Sequence, residues 1–269
     1  MQKKFLEATK NILEKNLKIF EKPFCEKKVV LVYDIESKLS KILGESYAEN
    51  LISFSGKERD AGKAERVEII IFGDIKKEEL KEKLMSLEAD STVVLVQSTN
   101  FRLDDFRLRL NLKNQGVGCI EHNHLGYIRD TEIENYADAI EYRTPYYVEL
   151  SNKLKERFDK ADELVIVSKN GEKLICTGGF EDMKQNTGDF GERIRAGSFP
   201  IGENFTEIKN FDNFNGKVGI RAYPNMTFEV QFTEIFVIEI KESRIVDYSD
   251  NTPKEFIEIV EKIKTGEHK

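Results

Sequence analysis

The sequence predicts an α/β protein in two parts: an N-terminal domain on a mostly parallel sheet, then a β-rich α+β domain. Up to about residue 142, short β-branched runs alternate with helical patterns of about a dozen residues, the signature of βαβ units. Beyond about 162 the pattern changes to short strands separated by glycine-containing turns. A length of 269 residues accommodates two domains, since one domain commonly takes about 100–150 residues. The expected division is 1–142 for the α/β sheet domain, 143–161 for a linking helix, and 162–269 for the second domain.

Each element has its own signal. Residues 3–20 place Phe5, Leu6, Ile12, Leu13, Ile19 and Phe20 on one helical stripe, with Thr9 and Asn16 along it, and Pro23 stops the helix. Lys28–Asp34 reads as a buried strand, because its apolar run is continuous and does not alternate. Helix 36–51 follows, with Leu39, Ile42, Leu43 and Tyr47 at helical spacing. A second strand, 67–72, leads through Gly73 to helix 76–88, with Asp74 as the expected cap. A third strand at 92–97 precedes a helix expected at 102–114, where Leu108, Leu110 and Leu112 also alternate as a strand would, and 117–121 supplies a fourth strand.

Helices near 131–141 and 145–160 close the first part. A hairpin then pairs 164–168 with 173–177 across Asn170-Gly171, a dipeptide that accepts positive φ. Further strands are expected at 217–222, 226–231, 234–240 and 244–248. Glycines at 178, 179, 188, 191, 197 and 202 mark a long irregular stretch. The last helix starts with Thr252 as cap, Pro253 in the first turn and Glu255 completing a capping box.

Composition narrows the function classes. Charged residues are 34% and the net charge is −7, with Lys and Arg interleaved with Glu, so there is no clustered basic face for nucleic acid. No apolar run reaches the roughly 18–20 residues that cross a bilayer, and the N-terminus carries Glu7 and Glu14 where a signal peptide is apolar. A cytoplasmic location is the expectation. Cys25, Cys119 and Cys176 form no CxxC pair and read as free thiols. Neither G-x-G-x-x-G nor G-x-x-x-x-G-K-[ST] occurs.

Two segments carry candidate chemistry. In Cys119-Ile-Glu121-His122-Asn123-His124, two of three histidines fall at the carboxyl end of the fourth strand, where open α/β sheets place ligand crevices. If the strand continues, His122 and His124 share a face as a candidate metal pair, which still needs a third ligand. A polar strand end bonded to neighbouring loops is the competing reading, with Arg102, Arg107 and Arg109 pairing Asp104, Asp105 and Glu121. The second segment is Gly197-Ser-Phe-Pro200-Ile-Gly202-Glu203-Asn-Phe205-Thr206, followed by Asn215-Gly216-Lys-Val218. Pro200 and Gly202 shape a turn that presents Glu203 outward, with Phe199 and Phe205 on either side.

This second segment resembles the metallo-aminopeptidase family of the aminopeptidase T type, whose members carry a stretch similar to N-x-P-x-G-E-V-F-T and, some residues later, an x-N-G-x-[VI] strand entry. Ser198-Phe199 and Asn204 depart from the family pattern. The resemblance implies that Glu203 is a metal ligand, that zinc, cobalt or manganese is the cofactor if the chain is active, and that a peptide or small molecule is the substrate. It also implies a homodimer. The scaffold resembles the dihydroxypyridine dioxygenases as well, where a single non-haem iron opens a ring, so fold alone does not fix the reaction. The family's other ligands, a second Glu, histidines, a Tyr and an Asp, lie downstream of the first Glu. Here His268 is the one histidine that follows Glu203. The expectation is therefore an aminopeptidase-like hydrolase scaffold that is incomplete or inactive as this chain. The alternative is a non-catalytic binding or assembly protein that keeps the fold without the metal site.

Overall fold

Buried β-branched runs build the first sheet. β1 (Val29–Tyr33) and β3 (Thr92–Val96) are buried at every position, and they lie side by side at the centre of five parallel strands. In the computed structural model, which describes residues 1–22, 24–57, 66–99, 108–190, 196–227 and 229–266, β2 (Val67–Ile71) flanks β1. On the other side β4 (Gly118–His122) flanks β3, and β8 (Ala196–Phe199) pairs with β4. The order is β2-β1-β3-β4-β8, all parallel.

Alternation along these strands divides the core into two layers. Leu31, Tyr33, Val94, Val96 and Ile120 point to one side. There they meet α1 (Gln2–Asn11), the π-turn Ile12–Asn16, α2 (Lys38–Lys57) and α5 (Ile133–Ala139) through Phe5, Leu13, Leu43, Tyr47 and Tyr136. Val30, Val32, Val93, Leu95 and Cys119 point to the other side, against Leu80 and Leu84 of α3 (Lys77–Met85) and Leu108 and Leu112 of α4 (Leu108–Asn114). The result is a three-layer α/β/α unit. Asn50 fastens α1 to α2 by donating to the Leu6 carbonyl and the Thr9 hydroxyl, each at 2.9 Å.

The second unit is antiparallel. β5 (Glu163–Val167) and β6 (Lys173–Thr177) form the expected hairpin, and β10 (Phe214–Pro224), β11 (Val230–Lys241) and β12 (Arg244–Tyr248) continue the sheet in the order β12-β11-β10-β6-β5. Its apolar face holds Tyr223, Phe236 and Ile238, with Phe256 and Ile259 of α7 (Lys254–Thr265) packed against them. A mixed fold with a parallel α/β sheet and a separate β-rich region is thus what the chain adopts. Among the described residues no helix is long and apolar enough to cross a membrane.

The units interleave along the chain. One comprises Met1–Ser151 and Gln185–Glu203, the other Asn152–Lys184 and Asn204–Lys269. The breaks fall inside α6 (Thr144–Asp159) and inside β7 (Lys184–Asn186) and β9 (Glu203–Phe205), which pair as a two-stranded ribbon. The sequence pattern assigns 185–203 to the second part because β8, AGSF, carries almost no strand signal. Backbone pairing to β4 outweighs weak local propensity there.

Other differences are local. α3 begins after Lys76, not Asp74, and no side chain caps it. Pro253 stands at the N-cap of α7, while Glu255 accepts from the Tyr223 hydroxyl at 3.0 Å in place of a capping-box bond. The strands expected at 226–231 and 234–240 are one strand, β11. The Asn225 side chain accepts from the amides of Thr227 and Glu229, making a turn that ends β10. Pro23, the start of the helix expected at 102–114 with Arg102, Asp104, Asp105 and Arg107, and His268 lie outside the described residues.

Candidate functional site

The Glu203 turn is built from the first unit. β8 runs beside β4 in the register Cys119↔Ala196 to His122↔Phe199. The Phe199–Pro200 bond is cis, and Ile201 drops into the core. Gly202 has φ +99°, and a Cβ there would lie 2.4 Å from the Tyr147 ring. Only glycine serves, because both the dihedral and the space exclude a side chain. Gly202 N–H donates to the Asn186 carbonyl at 2.7 Å, which holds the turn closed. The next residue, Glu203, is exposed at the start of β9, and its carboxylate makes no hydrogen bond or ion pair among the described residues. Arg193 and Arg195, which precede it in the chain, lie outside them.

A catalytic metal pair needs several carboxylates and imidazoles around two ions about 3.5–4 Å apart. Among the described residues no three His, Cys, Asp or Glu side chains converge as such a group. The donor set around Glu203 is one carboxylate, and it does not fit a metal pair. The two phenylalanines beside the turn differ in role: Phe199 is buried and Phe205 is 48% exposed under the Lys184 ammonium.

His122 and His124 are not brought together. β4 ends at His122, and His124 adopts a left-handed conformation with φ +59°, so the strand alternation that would put both on one face stops short. His122 is fully buried in the layer between the sheet and α2 and α5. Tyr47 Oη lies 2.9 Å from its Nε2, Tyr136 Oη lies 2.7 Å from its Nδ1, and the ring stacks on Phe199 at 5.0 Å. Both ring nitrogens are engaged, so neither is free for a metal. Burial without a counter-charge lowers the imidazole pKa to about 3, so the ring is neutral. The same burial raises the phenols of Tyr47 and Tyr136 well above their ordinary value. His124 is exposed beside Tyr127. The polar-strand-end reading describes Glu121, which pairs with Arg109.

The polar centre that the sequence pattern misses lies at the carboxyl ends of β1 and β3. In this parallel sheet the order of strands turns about between β1 and β3, with β2 on one side and β3, β4 and β8 on the other, the position where doubly wound sheets open a ligand crevice. Here the crevice is filled by the protein's own carboxylate. Asp34 is buried and accepts from Ser98 N at 2.6 Å, Ser98 Oγ at 2.5 Å, Ser40 Oγ at 2.7 Å and Glu36 N at 3.2 Å. Ser37 N donates to Ser98 Oγ at 2.9 Å. An anion at the start of α2 is favoured by the unpaired amides and dipole of the helix end. Asp34 stands just before that helix end, and its bonds brace the loops after β1 and β3 against the start of α2. The available signal was Asp34 directly after an apolar strand, with Ser37 and Ser98 following β1 and β3.

No protein-family model matches the chain. No curated protein matches it. Among solved structures, the chain is similar to 2,5-dihydroxypyridine dioxygenase from Pseudomonas putida KT2440, with a TM-score of 0.62 and 13% identity over 97% of this chain and 72% of that one. At this identity the likeness is one of fold.

Proposed function

We propose that this chain is an aminopeptidase-like scaffold that serves as a non-catalytic binding or assembly module, with no metal centre of its own. The observation that carries the reading is Glu203. It is presented outward by a glycine turn in a stretch resembling the aminopeptidase T type, yet no second and third ligand stand with it among the described residues. The single non-haem iron site that the resemblance to the dihydroxypyridine dioxygenases implies lacks support in the same way. A mononuclear iron of that type takes two histidines and a carboxylate on one face. His122 has both nitrogens engaged, and His124 does not share its face.

The test is an aminopeptidase assay on aminoacyl anilides with the purified chain in zinc, cobalt and manganese, alongside metal content after dialysis. The expected result is no turnover and no stoichiometric metal. Turnover that disappears in Glu203→Ala would overturn the reading and restore the metal-dependent hydrolase.

A further inference from the structure

The second unit's sheet ends on one side in β5, whose edge is unlike the others. Glu163, Leu164, Val165, Ile166 and Val167 pair with β6 without a register shift, and no second strand flanks β5 among the described residues. Ser168 N donates to the Glu172 carbonyl and Gly178 N to the Asp162 carbonyl, both at 2.9 Å. In an antiparallel pair this assigns the even-numbered residues' hydrogen-bonding groups to β6. The N–H and C=O groups of Glu163, Val165 and Val167 therefore project from the free edge. The side chains are open on both faces: Val165 is 41% exposed, Ile166 39% and Val167 60%.

Edge strands are ordinarily blunted by lysine, proline or a bulge. The opposite edge, β12, has such features: Arg244 and Asp247 lie on it and its pairing with β11 is irregular. β5 has neither bulge, proline nor lysine within it. An uncovered apolar edge of this kind is a site for strand addition.

Charge around the strand selects the occupant. Asp162 and Glu163 stand at its start and Lys169 follows its end, all exposed. A second copy running antiparallel, with Val165 facing Val165 across a two-fold axis, sets Glu163 opposite Val167. That register brings Lys169 of the second copy to the diagonal position beside Glu163, within reach of a long side chain. The two-fold repeats the pair at the other end, so acid meets base on both flanks of an apolar centre. Facing residues in this register exchange both backbone hydrogen bonds. A self-complementary patch of this form is what an isologous dimer requires.

We propose that β5 is a self-association edge through which two copies of this chain join their antiparallel sheets into one continuous sheet. The inference rests on β5 and is independent of the reading of Glu203.

Sedimentation equilibrium of the full chain across the micromolar range tests it. The mass should rise toward twice the monomer value with concentration. Val165→Glu places two like charges face to face and should weaken association at least about tenfold. Glu163→Lys should weaken it, and Glu163→Lys combined with Lys169→Glu should restore it. Val246→Glu, on the opposite edge, should leave it unchanged. Circular dichroism confirms that each variant is folded. A wild-type chain that stays monomeric overturns the proposal. So does a dimer that survives Val165→Glu, or one that is not restored by the double charge reversal.

Discussion

Tyr47 on α2 and His122 at the end of β4 meet inside the first unit, hydroxyl oxygen to Nε2 at 2.9 Å, with both side chains fully buried. Because the imidazole is neutral, it has one N–H and one bare nitrogen. Of Tyr47 and Tyr136, one donates to the ring and the other accepts from it. The three side chains form a satisfied polar chain linking α2, β4 and α5.

Tyr47→Phe leaves one nitrogen of His122 without a partner in an apolar layer. The expected cost is roughly 1–3 kcal/mol, the penalty for a buried polar group left unpaired. Urea unfolding of the variant measures it. A change below about 0.5 kcal/mol would mean that the ring re-pairs elsewhere.

The neutral ring makes stability depend on pH. The folded pKa of His122 is about 3, below its ordinary 6.5, so the unfolded chain binds this proton first as pH falls. The contribution is complete above pH 6.5 and is lost progressively from there toward pH 3. Between pH 6.5 and 5 the loss should be about 2 kcal/mol, one pH unit being worth roughly 1.4 kcal/mol. Urea unfolding across this window measures the slope, and the imidazole resonances of His122 in the folded protein should not move within it.

Asp34→Ala should be among the most costly single changes in the first unit. It strips partners from Ser98 N, Ser98 Oγ, Ser40 Oγ and Glu36 N at once. A loss of about 3 kcal/mol is expected, since hydrogen bonds to a buried charge exceed neutral ones. Ser98→Ala should cost less, because the Ser98 amide still donates to Asp34. Denaturant midpoints of the two variants settle the order.

Gly202→Ala tests the turn that presents Glu203. Positive φ costs a side-chain-bearing residue about 1–2 kcal/mol, and displacing the Tyr147 ring adds about 1–3. A total of about 2–5 kcal/mol is expected in thermal or urea unfolding. Glu203→Ala, exposed and without a partner among the described residues, should fall within about 0.5 kcal/mol of wild type.

The elements with strong periodicity were legible in the sequence. β1 and β3 are continuous apolar runs, α6 and α7 keep helical spacing, and Asn170-Gly171 marks the β5–β6 hairpin. β8 was not legible, since two of its four residues are Gly197 and Ser198 and its place is set by pairing with β4. The Glu203 turn could be read from Pro200 and Gly202. The Asp34 centre was legible only in part: positions 34, 36, 37 and 40 are local to the end of β1, but Ser98 joins them only because β1 and β3 lie side by side. The His122–His124 pairing failed on one dihedral, the left-handed backbone at His124 that ends the strand alternation.

The return of 185–203 to the first unit has a bearing on synthesis. As the chain emerges from the ribosome, four strands of the parallel sheet are available early, while the fifth is still to be translated. β4 then waits as a bare flank until β8 arrives, after the β5–β6 hairpin has already left the tunnel. Phe199, which covers His122, arrives with it. A nascent chain halted near residue 160 should therefore hold a sheet whose β4 side is open to chaperones and proteases, and release beyond 203 should close it.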